Sequence, residues 1–259
     1  MKTTRNASRQ KAIAAGVLSL LLGLPVYSAS FTLNPSSDAF VTTGPSGNLS
    51  GNNYGGAGAL DVAAPGLAKG EFQSVLQFDL SGARTSFDTQ FGAGQWNIQS
   101  ITLSLTATSP NNAIFNPSAA GQFGISWLQN DSWTEGTGNP NTPTAIGITY
   151  SSLPSFTSAG DESLGTFSFA GGTSGAATYT LSLTPGFLTD ASAGNLVGFR
   201  LFAADNAVSY LFDSRSFGTT SARPLLTVVA VPEPAAVPLL AVGAALLVGA
   251  KRCRRKHQK

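Results

Sequence analysis

The chain has 259 residues and a formal charge of +2, but its Lys and Arg crowd the two ends and leave residues 31–230 with five cations against twelve carboxylates, a net of −7. A body this acidic repels phosphate backbones, which argues against nucleic acid as a partner. The one cysteine, Cys253, and the one histidine, His257, lie in the C-terminal tail, so the body holds no disulfide framework, no Ser-His-Asp or Cys-His nucleophile and no His-ligated zinc or iron.

The first 30 residues read as an export signal: a basic start from Met1 to Lys11, an apolar stretch from Ala12 to Leu24, then small residues at Ser28-Ala29-Ser30. Cleavage is expected after Ser30. Thirteen apolar residues are short for a bilayer, which needs about 20, so a removed Sec-type signal is expected rather than an anchor.

Residues 31–230 are rich in Gly, Ser and Thr, and their apolar residues recur with a period of two, the pattern of half-buried strands. Four strands are clearest: Leu76, Phe78 and Leu80; Ile101, Leu103, Leu105 and Ala107; Tyr179, Leu181 and Leu183; Val197, Phe199, Leu201 and Ala203. Further strands are expected at 31–34, 39–43, 59–63, 122–129, 146–151, 163–169, 208–213 and 225–230. Turn-forming clusters separate them, at Gly44-Pro45-Ser46-Gly47-Asn48, at 51–56 and at 136–141. A single helical turn is expected after Pro185, at 186–191. Many short strands without a long helix define an all-β chain, a β-sandwich of jelly-roll kind, in one domain.

The C-terminal segment, 231–259, runs Val231-Pro232-Glu233-Pro234, then an apolar stretch from Ala235 to Ala250, then a cluster of six Lys and Arg ending at Lys259. Sixteen helical residues at about 1.5 Å each span about 24 Å, enough for a thin bilayer with snorkelling basic residues. The basic cluster fixes that end in the cytoplasm, so the body lies outside. The two prolines keep the peptide around Glu233 extended and open to a membrane-embedded protease. This order resembles the PEP-CTERM sorting signal, and the resemblance implies an exosortase as processing partner and release from the membrane to the cell surface or the medium, often among exopolysaccharide.

A second resemblance rests on the order of short patterns in the body: Asp38-Ala39-Phe40-Val41, Asn53-Tyr54-Gly55, Leu60-Asp61-Val62, Leu76-Gln77-Phe78-Asp79-Leu80-Ser81, Trp133-Thr134-Glu135, Tyr210 to Arg215, and Arg223-Pro224-Leu225-Leu226. Together these resemble the DNRLRE-type domain, which implies a non-catalytic jelly roll related to carbohydrate-binding modules. The glycine-rich insertions at Gly92-Ala93-Gly94 and 111–121 depart from that pattern.

Sugars stack their C–H faces on aromatic rings while amides and carboxylates take their hydroxyls. Tyr54, Asn130, Asp131, Trp133 and Glu135 are therefore the candidate carbohydrate-binding residues, whereas Trp127, alternating with Phe123 and Ile125, reads as core. Calcium favours loop carboxylates, and a cysteine-free exported sandwich would gain from such a clamp. Asp38, Asp61, Asp79, Asp205 and Asp213 are its candidate ligands, although no EF-hand-type loop is present. The only enzymatic route that the side chains leave is a carboxylate pair, Asp131 with Glu135 or Asp161 with Glu162, acting on glycosides; nothing in the sequence sets such a pair across a substrate. The expectation is thus a non-catalytic surface or matrix protein that binds polysaccharide, with a purely adhesive protein and a glycosidase as the alternatives.

Overall fold

In the computed structural model, residues 27–109 and 115–233 are described, and 29–230 form one compact body. The expected signal sequence (before residue 27), the apolar run and basic cluster (after 234) lie outside the described residues. Among the described residues no helix is long and apolar enough to cross a membrane.

The body is an all-β sandwich with two short helices. Its strands, in chain order, are β1 (Ala29–Leu33), β2 (Ser37–Thr42), β3 (Ala59–Ala63), β4 (Phe72–Asp79), β5 (Trp96–Thr106), β6 (Gly121–Leu128), β7 (Glu162–Phe169), β8 (Ala176–Leu181), β9 (Leu196–Ala203), β10 (Ser209–Asp213) and β11 (Leu225–Pro232). Helix α1 (Ser81–Phe91) joins β4 to β5, and α2 (Pro185–Ala193) joins β8 to β9. A four-stranded sheet runs β1-β11-β5-β8; the larger runs β10-β3-β4-β9-β6-β7, with β2 also paired to β4.

Alternation in β5 buries Ile101, Leu103 and Leu105 and leaves their neighbours less covered, as period two requires, while Trp96 and Ile98 are buried in the opposite phase before a shift at Gln99–Ser100. The two sheets meet through aromatic rings. Phe123 of β6 lies edge-on to Tyr179 of β8, with centroids 5.1 Å apart, and the Tyr179 hydroxyl donates to that of Tyr210 on β10 at 3.4 Å. Trp127 is buried in this main core, consistent with its place in the alternation.

Strand β4 is buried on both faces. Phe72, Leu76 and Phe78 join the main core, while Val75 points the other way into a satellite core with Ala39, Val41, Leu128, Trp133, Ile148 and Leu153. The cover for that outer side is the excursion from β6 to β7, residues 129–161. The expected strand at 146–151 belongs to it and is not a strand. Ile148 is buried and donates its N–H to Thr134 O, but Ile146 is 77% exposed and a 3-10 turn follows at Leu153–Ser155.

Both helices differ from the sequence reading. The turn expected at 186–191 is a nine-residue helix. Pro185 suits its first turn, and Gly194 closes it at φ 71°. Helix α1 was not expected, because only Ala83, Phe87 and the half-buried Phe91 turn toward the core among Ser, Thr, Gly and other polar residues; three apolar residues at i, i+4 and i+8 are a thin signal.

Candidate functional site

The residues singled out by sequence fall into three environments, beginning with a buried clamp. Asp38, near the start of β2, is fully buried; its Oδ2 accepts the N–H of Arg215 at 2.7 Å, and its own N–H donates to Glu135 Oε1 at 3.3 Å. Arg215 grips Glu135 with both arms of its guanidinium, Nε to Oε1 at 2.7 Å and Nη2 to Oε2. Burial pushes the Asp38 carboxyl up to about 7, against the Arg215 N–H that favours its charge, and its Oδ1 has no partner among the described residues.

Asn53 locks the same region. It is fully buried, and its Nδ2 donates to the carbonyls of Glu135 (2.6 Å) and Ile148 (2.8 Å), while its Oδ1 accepts the N–H groups of Gly55 (3.2 Å) and Gly138 (3.0 Å). The absence of a side chain at Gly138 lets the Asn53 carbonyl approach so closely that an added Cβ would lie 2.0 Å from it. Tyr54 is 2% exposed and stacked on Phe40 with centroids 4.5 Å apart, and Trp133 is 3% exposed in the satellite core. Neither ring offers a face to a sugar, so of the five expected sugar contacts Asn130 is exposed and Asp131 and Glu135 are half-buried. Asn130 holds the Ser132 N–H in a local turn, and the Asp131 carbonyl accepts from Gln77 Nε2.

The five aspartates named for calcium do not converge. Asp61 is buried against Lys69 Nζ at 2.6 Å, with desolvation pushing its carboxyl up to about 7 despite that partner. Asp79 accepts the Ser81 N–H at the start of α1, and Asp205 accepts those of Ala207, Val208 and Gln122; both are held below the usual carboxylate range by these bonds. Asp213 is buried at the end of β10 and raised by desolvation. Among the described residues no three Asp, Glu, His or Cys are placed to hold a metal ion. The carboxylate pairs are equally dispersed in their roles: Glu162 caps α2 by accepting from Gly186 N, Phe187 N and the Thr184 hydroxyl, and Asp161 closes a turn by accepting from Ser158 N and Gln129 N.

An open groove lies where two glycine-rich turns meet, and sequence reasoning did not find it. It has a volume of about 470 Å³ and is lined by Thr43, Gly44, Pro45 and Gly47 from one turn and by 65–68, Gly70 and Glu71 from the other. Ligand sites commonly occupy roughly 300–1,000 Å³. The turns are tied together by reciprocal bonds, Thr43 N to Glu71 O at 3.1 Å and Glu71 N to Thr43 Oγ1 at 3.0 Å. Gly70, at φ 89°, allows this: a Cβ there would lie 2.3 Å from the Gly44 carbonyl oxygen.

Glu71 is also the first step of a polar ladder on the outer side of the larger sheet. Its Oε2 accepts the Tyr150 hydroxyl at 2.7 Å and its Oε1 accepts Gln73 Nε2 at 2.5 Å; Gln73 Oε1 in turn accepts Arg200 Nε at 2.7 Å. Burial and the Glu71 carboxylate push the Tyr150 phenol up to about 12, so it stays a donor. The Arg200 guanidinium rests 4.8 Å from the centroid of the half-buried Phe202 ring. A signal did exist. Gln73, Arg200 and Phe202 occupy the polar phase of alternating strands, where a charged residue two before a phenylalanine is an exposed-face pattern.

No protein-family model matches the chain, and no curated protein is significantly similar to it.

Proposed function

We propose that this chain is an exported, non-catalytic surface or matrix protein, sorted through its Val231–Pro234 tag by an exosortase, whose jelly-roll-like body binds polysaccharide in the groove between residues 43–47 and 65–71. The observation that carries this reading is an open groove lined by Glu71, whose carboxylate is fixed by Tyr150 and Gln73. A polymer needs an open trough rather than a closed pocket, and its hydroxyls need acceptors that are already oriented.

Three further points support the reading. Carboxylates that could have formed a hydrolytic pair are engaged elsewhere, Glu135 with Arg215 and Glu162 with the start of α2, which argues against a glycosidase. Four of the seven pieces that carry the DNRLRE resemblance, 38–41, 53–55, 133–135 and 210–215, meet in one clamp, as a shared sandwich would require. Val231 and Pro232 continue β11 as extended chain, with Pro232 and Glu233 exposed, a form that a protease can grip.

Affinity electrophoresis of the exported protein through gels cast with soluble polysaccharides tests the binding. Retardation by at least one polymer is the expected result. Unchanged migration in every gel would leave the purely adhesive alternative.

A further inference from the structure

The charge in and around the groove says which polysaccharides it admits. Of its ten lining residues, Glu71 alone is charged; the others are Gly, Pro, Thr, Leu and Ala. Each Glu71 oxygen accepts one protein donor, Gln73 Nε2 or the Tyr150 hydroxyl, and a carboxylate oxygen has room for a second. What the wall offers is therefore an acceptor for neutral hydroxyls. The nearest cation on the ladder, Arg200, is bridged to Glu71 through the Gln73 carboxamide, which donates Nε2 to Glu71 and accepts Arg200 Nε at its Oε1, and it lies against Phe202. The Glu71 and Asp161 carboxylates both act on its charge, so it supplies no free positive field. The body as a whole adds its net of −7.

Resting on the polysaccharide-binding reading above, we infer that the groove is a subsite for neutral, hydroxyl-bearing glycans, and that Glu71 is the residue that rejects carboxylated or sulfated ones. A sugar hydroxyl donates to Glu71, while the apolar surfaces of Pro45, Pro65 and Leu67 take the C–H faces of the units on either side. An acid group on the same polymer would bring a second negative charge against Glu71 in a partly desolvated wall, where like charges repel most. No aromatic ring lines the groove, so binding is shared over several sugar units and the affinity for short oligosaccharides is low.

The test uses the exported protein and two sets of probes: glucan, mannan and galactan, and the carboxymethylated form of each. The wild type should bind at least one neutral polymer about tenfold or more tightly than its carboxymethylated form, and the gap should narrow as salt screens the repulsion. Glu71→Gln should weaken the neutral polymer and strengthen the charged one, collapsing the ratio. A change in folding alone cannot move the two in opposite directions. Ala68→Trp fills the groove from an exposed position that makes no side-chain hydrogen bond, and should abolish neutral binding with the melting temperature kept.

Equal or tighter binding of the carboxymethylated polymers by the wild type would overturn the inference and leave polysaccharide binding standing. An unchanged ratio in Glu71→Gln, or full binding by Ala68→Trp, would also overturn it. Binding of none of the six polymers would overturn both readings.

Discussion

The clamp around Asn53 and the groove beside Glu71 are built from similar materials: glycine-rich turns, an acidic side chain and a tyrosine. They end in opposite conditions. In the clamp every polar group of Asn53 is turned inward, Tyr54 and Trp133 are covered, and Glu135 is gripped by Arg215. Beside the groove Glu71 is held by Tyr150 and Gln73 and stays half-buried at the lip of an open trough. The difference teaches that aromatic rings beside amides and carboxylates mark a place where polar groups are organised. Whether that organisation serves the fold or a ligand depends on how far it is covered.

The widest separation between the two regions should come from Asn53→Ala. It leaves two carbonyls and two N–H groups without their buried partner, at about 1–3 kcal/mol for each group that water cannot reach, so a loss of roughly 4 kcal/mol or more in urea unfolding is expected. A loss below about 1 kcal/mol would dissolve the distinction between clamp and groove.

pH probes the clamp next. Asp38 and Asp61 are raised by burial to about 7. A raised carboxyl holds its proton more tightly in the folded than in the unfolded chain, so its contribution is fully present below its ordinary value and is lost as pH rises through about 7. Glu135 and Arg215 face Asp38 and Lys69 faces Asp61. Stability should therefore rise by a few kcal/mol between pH 8 and pH 5. It should fall again in stronger acid, as Asp79, Asp205 and Glu162, all held low by hydrogen bonds, take up protons. Calorimetry across that range reads the curve. Asp38→Asn should flatten its upper limb; an equally steep limb in that variant would remove Asp38 from the account.

Arg215→Met should cost less, about 1–2 kcal/mol, because it strands Glu135 in a clamp that is only partly shielded from water. Tyr150→Phe should cost least, about 1 kcal/mol or under in stability, while weakening polysaccharide binding severalfold. A loss of stability without loss of binding would move Tyr150 from the groove's support to the satellite core's.

Much of the fold was legible because alternation is local. Ile101 to Ala107 and Val197 to Ala203 announce which side is buried without reference to any other strand, and the structure places them in opposite sheets with that side inward. The stretch at 146–151 has the residues of a strand, but Ile148 is recruited by Thr134 and Asn53 into a loop over the satellite core; tertiary contacts override a short pattern. Helix α1 was missed because only Ala83, Phe87 and the half-buried Phe91 carry it. For the site, the chemistry was legible and its exposure was not. Tyr54 and Trp133 have suitable rings, and only the packing of Trp133 with Val75 and Ile148 in the satellite core and the Phe40 ring stacked on Tyr54 decide their fate. The groove was out of reach, since it exists only where Gly44 meets Gly70, two turns that the sequence separates.

The pairing of β1 with β11 has a mechanical consequence. Ala29 lies opposite Ala230, and the register continues to Leu33 opposite Leu226. In the smaller sheet β11 is an inner strand, held by β1 on one side and β5 on the other. A pull transmitted through the C-terminal segment therefore loads two ladders at once, in shear along their length. An edge strand would instead peel open rung by rung. The same register means that a signal cut after Ser30 would shorten the β1 ladder by its first two rungs, whereas a cut after Ser28 would leave it whole. Sequencing the N-terminus of the mature chain would therefore also report how many rungs of β1 remain beside β11.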